Sequence, residues 1–331
     1  MDLILADKNY LDIKLINHAI IDVDVGETND FQLVLRRDEY TKDYTKGNIV
    51  YVPFTEYGGI IGEIDTDTAL DTLTIQGDSW RGLLNKKIIE PASGQDYATA
   101  SGELNTIIRN LVDNRFSGLI VGSTDDIGVT IDSFQFERYC TLLDGLTKML
   151  KSVGHKLQIQ LIQLGLGNPS HVEVSAVPIE DFADEIELSQ DSKLNFRFNN
   201  IYNGINHLIC LGEGDLRERE VLHLYVDENG SIGDTQFFTG LEELVEIYDY
   251  KSADSIDVLR TEGTKRLQEI MNSQTFEMNV ESLNLSVEIG DIIGGRDYLT
   301  GIYAKQPVKS KVWRQENGVE SIVYKVEGEQ A

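Results

Sequence analysis

The chain has 331 residues, 41% of them hydrophobic and 26% charged, the balance of a soluble globular protein with room for two or three cores. Its 56 acidic residues against 29 basic ones leave a formal charge of −27. A field of that sign repels nucleic-acid phosphates and anionic lipid, which argues against stable nucleic-acid binding or a membrane-binding patch.

The opening Met1-Asp2-Leu3-Ile4-Leu5-Ala6-Asp7 has no basic n-region and no long apolar stretch, so it does not read as a signal peptide. No run approaches the roughly 20 apolar residues that a membrane span needs. The expectation is a chain made and folded in a bacterial cytoplasm with no membrane anchor of its own. Residues 1–90 are strand-rich: Phe31–Leu35, Ile49–Val52 and Leu73–Ile75 alternate, with Gly, Asn and Asp between them. That spacing suits a meandering antiparallel barrel. Around Glu90-Pro91-Ala92-Ser93-Gly94 the texture turns small and polar, which marks a boundary.

Ser101 is placed to cap a helix over Glu103–Phe116, whose Leu104, Ile107, Ile108, Leu111 and Val112 share one face. Val129–Ile131 and Phe134–Phe136 read as strands. A second helix over about Thr141–Val153 has Gly154 at its C-terminal turn. With the alternating Leu157–Leu161, residues 91–170 read as a compact α/β insertion. From His171 onward strands return, at Val172–Val174, Leu194–Phe198, His207–Leu211 and Val221–Tyr225, with a hairpin turn at Asp227-Glu228-Asn229-Gly230. One long helix, about Ser255–Asn272, contains Gly263, which costs about 1 kcal/mol relative to Ala and implies close packing or a kink. Residues 171–331 therefore read as a second barrel domain. The expected fold class is α+β, mainly β: two similar small β-barrel domains, an α/β insertion and one long helix.

The two ends of the chain echo each other. Gly47-Asn48-Ile49-Val50, then Gly59-Ile60-Ile61, then Leu73–Gly77 match Gly290-Asp291-Ile292-Ile293, then Gly301-Ile302-Tyr303, then Tyr324–Gly328. Short strands punctuated by glycine suit small barrels. Two such units per chain give a trimer six near-equivalent positions.

Signatures of catalysis are missing. There is no Walker A loop, no His-Glu-x-x-His and no Cys-x-x-Cys. Gly77-Asp78-Ser79-Trp80-Arg81-Gly82 follows a strand but is one residue off a nucleophile elbow, and reads as a structural turn. Asp227–Ile232 begins like a calcium loop, yet Ile232 and Phe238 stand where Gly and Glu are needed. His207 and His223 lie on strands near Cys210 and could meet at a metal, but such residues are more often core or interface groups. Cys140 and Cys210 read as buried, inert thiols. Asp65 with Asp67, and Asp125 with Asp126, are acid pairs of the kind glycosidases use, though a chain this acidic makes such pairs by composition. Gly212-Glu213-Gly214 lacks the further glycine of a dinucleotide loop. No catalytic, cofactor or metal residue is assigned.

Three segments resemble one family. Asn206–Arg219 followed by Val221–Tyr225 is similar to the middle motif of phage tail-tip or baseplate hub proteins, found in phages, prophages and phage-tail-like bacteriocins, mostly of Gram-positive hosts. Gly290–Gly301 looks like the family's late motif, and Asp2–Lys8 with Gly77–Leu84 resembles its first barrel. The resemblance covers essentially the whole chain. It implies a structural virion protein at the tail tip: a homotrimeric hub whose two barrels per subunit form a pseudo-sixfold collar around the conduit. Its partners would be the sixfold tail tube, distal tail and baseplate proteins, a threefold central spike or fibre, and a tape-measure protein. The family assigns no catalytic residues. Many relatives carry a C-terminal extension with a peptidase, hydrolase or receptor-binding module; this sequence stops at Ala331, so such activities are expected on other proteins. The alternatives are a tail-associated cell-wall hydrolase or a receptor-binding distal tail protein.

Overall fold

The computed structural model describes residues 1–164, 167–183, 187–188, 194–201, 203–253, 255–271, 273–281, 287–296, 299, 301, 303–316 and 318–330. Strands dominate, and the fold is α+β, mainly β. The chain begins with β1 (Ile4–Ala6), β2 (Asp12–Leu15), β3 (Ile20–Val25), β4 (Asp30–Arg36), β5 (Ile49–Tyr51), β6 (Gly58–Asp67), β7 (Thr72–Ser79) and α1 (Trp80–Asn85). Next come β8 (Thr99–Glu103), α2 (Leu104–Val112), β9 (Ile120–Gly122), β10 (Thr130–Gln135), α3 (Leu142–Lys151), β11 (His155–Ile162) and β12 (His171–Pro178). The second half holds β13 (Glu187–Leu188), β14 (Leu194–Ile201), β15 (His207–Leu211), β16 (Val221–Val226), β17 (Ile232–Gly233), β18 (Val245–Asp249) and α4 (Ile256–Ile270). It ends with β19 (Ser273–Glu281), β20 (Ile292–Arg296), β21 (Tyr303–Glu316) and β22 (Val319–Gln330).

Two compact units result: residues 1–194 with 279–326, and residues 195–278 with 327–331. In the first, antiparallel strands run in the order β22-β21-β3-β4-β7-β6-β5-β1-β2, and β20 pairs with β21. Ile21, Val23, Leu33, Leu35 and Ile75 point from β3, β4 and β7 into one core with Leu5 and Trp313. Every second residue of β3 and β4 is apolar, and those are the buried ones. Among the described residues no ladder closes this sheet into a ring, so the related units are seen as open meanders. The edge strand β2 is largely exposed, as an unclosed sheet requires. Leu104, Ile108, Leu142, Leu146 and Val174, from α2, α3 and β12, share a core with Tyr51 of β5 and with Trp80 and Leu84 of α1.

The echo between chain ends is a real structural repeat. Meanders β5-β6-β7 and β20-β21-β22 have the same order and direction. Gly47 (φ +90°) and Gly290 (φ +95°) open them in the left-handed region. The Gly47 N–H donates to the Ile61 carbonyl at 3.0 Å, and Ile61 N–H returns to Asn48 at 2.8 Å. In the second copy Gly290 donates to Val308 at 2.9 Å and Val308 returns to Asp291 at 2.8 Å. Each middle strand then carries an irregularity in register at the same place, between Ile61 and Glu63 and between Val308 and Ser310. The register corrects two anchors of the sequence match. Gly59 corresponds to Gln306 and not Gly301, because Val50 pairs with Gly59 as Ile293 pairs with Gln306. Gly77 corresponds to Val326 and not Gly328, because each faces the residue before the irregularity. Within the family-like late motif and the echo, Asp297, Tyr298, Thr300 and Ile302 lie outside the described residues.

Helix α2 starts one residue later than expected and stops at Val112. Its cap is Glu103, whose carboxylate accepts from the Asn105 and Thr106 amides, while Ser101 sits on β8, paired with β10. Thr141 caps α3, and Gly154 (φ +71°) turns the chain out of it. Ser255 caps α4, which lies in the second unit; Asn272, the expected last residue, lies outside the described residues. There α4 packs on the β17-β16-β15-β18 sheet. A Cβ on Gly263 would lie 2.5 Å from Cys210 Sγ and 3.0 Å from Leu224 Cδ1, so the glycine serves close approach. Among the described residues no helix is long and apolar enough to cross a membrane.

The repeat yields a paired prediction. Gly47→Ala meets open space, so it loses only the backbone strain of a left-handed alanine, about 1–2 kcal/mol. Gly290→Ala has the same strain plus a contact at 3.2 Å with Lys156 Cβ, and is expected to lose more. Denaturant unfolding midpoints of the two variants check the ranking.

Candidate functional site

A polar cleft of about 640 Å³ in the first unit draws on both meanders and the insertion. Its floor is a cluster of buried charges. Glu56 sits in the turn between β5 and β6; Arg81 is in the first turn of α1; Lys311 is on β21. Arg81 Nε donates to Glu56 Oε2 at 3.1 Å, and Lys311 Nζ lies 2.7 Å from Glu56 Oε1. Lys311 also pairs with Glu288, and Arg81 Nη2 donates to the Leu157 carbonyl of β11 at 3.3 Å. Lys311 lies 5.1 Å from the centre of the Tyr57 ring, which stacks on Trp313 at 4.9 Å. Beside this group, Lys156 of β11 pairs with the buried Asp291, which accepts from the Glu180 and Glu288 amides.

Three cations and three carboxylates thus neutralise one another, all of them away from water except the half-exposed Glu288. Burial pushes the Glu56 carboxyl upward, but the Lys311 charge and then the Arg81 charge outweigh it and hold it at about 2. For Glu288 burial wins and its carboxyl is raised. Burial would lower Lys311, yet Glu56 and then Glu288 hold its ammonium well above the ordinary lysine range. Such an arrangement ties strands together. Its charged groups are spent on each other, which leaves little for acid–base work on a substrate.

This site was not visible in the sequence. Arg81 fell within the Gly77–Gly82 segment, which is a strand-to-helix turn: Ser79 Oγ caps α1 by accepting from Gly82, and Asp78 pairs with Lys86. Glu56 and Lys311 stand 255 positions apart and carry no local signature. The other candidates scatter. Asp67 caps the turn at Ala69 and Leu70 from the exposed end of β6, and Asp126 accepts from Gly128 in a loop. Asp227 Oδ1 accepts from the Asn229 and Ser231 amides, and Gly230 (φ +80°) completes the turn. Gly214 (φ +99°) shapes the turn after β15.

In the second unit His207 and His223 do meet. Glu243 accepts from His207 Nδ1 at 2.7 Å, and His207 Nε2 is 2.8 Å from His223 Nδ1. Strand alternation sends Cys210 to the opposite face, into the core under α4, where burial raises its thiol to about 11. Burial likewise raises the Cys140 thiol. Among the described residues no group of three or more His, Cys, Asp or Glu is arranged to hold a metal ion.

No protein-family model matches the chain, and no curated protein matches its sequence. Solved structures do match its fold. A 43 kDa tail protein of prophage MuSo2 from Shewanella oneidensis has a TM-score of 0.54 at 14% identity, covering 98% of each chain. A tail protein from Neisseria meningitidis MC58 has a TM-score of 0.50 at 14% identity, covering 99% of this chain and 97% of that one. A chain of the phage P2 baseplate in its activated conformation with Ca has a TM-score of 0.51 at 10% identity, covering 98% of both. The fold is therefore that of phage tail and baseplate proteins, over essentially the full length of each.

The ion cluster makes a direct prediction. Glu56→Gln leaves Arg81 and Lys311 short of a buried counter-charge and is expected to cost about 3–5 kcal/mol in denaturant unfolding. Because the folded-state carboxyl is depressed, its stabilisation is full above the ordinary value of 4.5 and is lost as pH falls towards 2. The raised Glu288 acts in the opposite direction over the acid range, which shallows the decline. Unfolding of wild type and Glu56→Gln at pH 7 and pH 3 should show a smaller gap between them at pH 3.

Proposed function

We propose that this chain is a structural protein of a phage-type tail tip, a homotrimeric hub joining a sixfold tail tube to a threefold central spike or fibre around the conduit. The internal repeat carries the reading. Two matched meanders per chain, with equivalent opening glycines and equivalent register irregularities, let three chains offer six similar surfaces. The fold shared with tail and baseplate proteins supports it.

In this reading residues 1–90 and 171–331 are the two hub domains and 91–170 the insertion between them. The partners are the tail tube, distal tail and baseplate proteins, the spike or fibre and the tape-measure protein. The chain is made in the cytoplasm of a bacterial host, Gram-positive by the sequence resemblance, and then built into the virion or bacteriocin particle. It is not an enzyme: the buried charges of the cleft are consumed in holding strands together. The formal charge of −27 suits the wall of a conduit through which nucleic acid passes without adhering.

Antibody against the chain is expected to label particles at the tail tip. The purified protein is expected to leave peptidoglycan intact in a zymogram. Clearing that disappears on Asp65→Asn with Asp67→Asn would replace this reading with a cell-wall hydrolase.

A further inference from the structure

The repeat also shows where one copy is incomplete. In the second meander the distal half of β21 is paired on both sides, with β22 on one and β3 on the other, from Lys311↔Val25 to Glu316↔Ile20. The contact includes an ion pair, Arg314 Nη1 to Asp22 Oδ2 at 3.0 Å. The matched irregularities place Ile64 opposite Lys311 in the alignment of the copies, and Asp67 opposite Arg314. In the first meander that half of β6 pairs with β7 alone, since β5 reaches only Gly58–Ile60. Glu63, Ile64, Asp65, Thr66 and Asp67 are all exposed, and among the described residues no strand lies along their outer edge.

We propose that the outer edge of β6, from Ile64 to Asp67, receives an antiparallel strand from a second copy of this chain, taking the place that β3 occupies beside β21. The inference rests on the trimeric reading above and names the surface through which the copies join. Charge restricts the geometry. Glu63, Asp65 and Asp67 share one face of β6. A twofold pairing of β6 with its own counterpart would set these acids against one another, which is destabilising. The incoming strand is therefore a different one and the contact is heterologous, the type that forms a ring where its rotation closes, as the trimeric reading requires. The same acids keep the edge from collecting copies of itself before assembly.

The test is amide hydrogen exchange on the purified chain, dilute and at its highest soluble concentration, with mass measured by sedimentation at both. A trimer in which the 63–67 amides that face away from β7 exchange about tenfold or more slowly than in the dilute protein is the expected result. Thr66→Pro and Asp65→Pro block adjacent amides, one of which faces the open edge. That variant should abolish association while leaving the unfolding midpoint of the monomer unchanged. A trimer with unprotected 63–67 amides overturns this edge and leaves the trimeric reading standing. A monomer at every concentration, or a dimer protected at 63–67, overturns the proposal that the edge alone holds a second copy in a ring; copies per tail tip then decide the hub reading separately.

Discussion

A buried set of charges joins parts of the chain that sequence order keeps far apart. Glu56 from the first meander, Lys311 from the second and Arg81 from α1 share one desolvated contact, and Arg81 reaches the insertion at Leu157. Lys156 and Asp291 add a second tie between insertion and second meander. Buried ion pairs are weak sources of net stability, because desolvation offsets the attraction. Their value here is registry. An apolar patch of similar size would tolerate sliding, whereas a carboxylate held between two cations accepts one position.

In the proposed hub, that fixed position gives the repeat its use. Two meanders of one design can act as equivalent surfaces only if their relative placement is the same in every copy of the protein. The sheet supplies continuity through β21, β3, β4 and β7, and the Tyr57–Trp313 stack closes the seam beneath the charges. The first core is thus built from residues of both ends of the chain: Leu5, Phe31 and Ile75 with Trp313. Neither end can complete that core without the other.

Much of this was legible in the sequence, and the misses have physical causes. Alternation located β4, β5 and β7, and spacing located α3 and α4, whose expected starts Thr141 and Ser255 prove to be their capping residues. Gly47 and Gly290 were found because left-handed backbone leaves a glycine signature. Gly59 and Gly77 were mismatched because their glycines answer to neighbours: a Cβ on Gly59 would lie 2.2 Å from the Asp78 carbonyl oxygen, and one on Gly77 1.8 Å from that of Ile60. Their counterparts Gln306 and Val326 need no such clearance. Ser101 was mistaken for a cap because a strand pairing with β10 overrode local preference. The ion cluster was invisible because three-dimensional proximity alone creates it. Glu56, Arg81 and Lys311 look like ordinary surface charges in sequence, and in an acidic chain nothing marks a carboxylate that is buried.

In the proposed hub, two equivalent surfaces per polypeptide let three molecules serve a sixfold partner. Counting copies in an assembled tail by quantitative mass spectrometry, against the tube protein of one ring, measures that directly. Three copies for every six tube subunits is the predicted ratio. Six copies, or one, would contradict it.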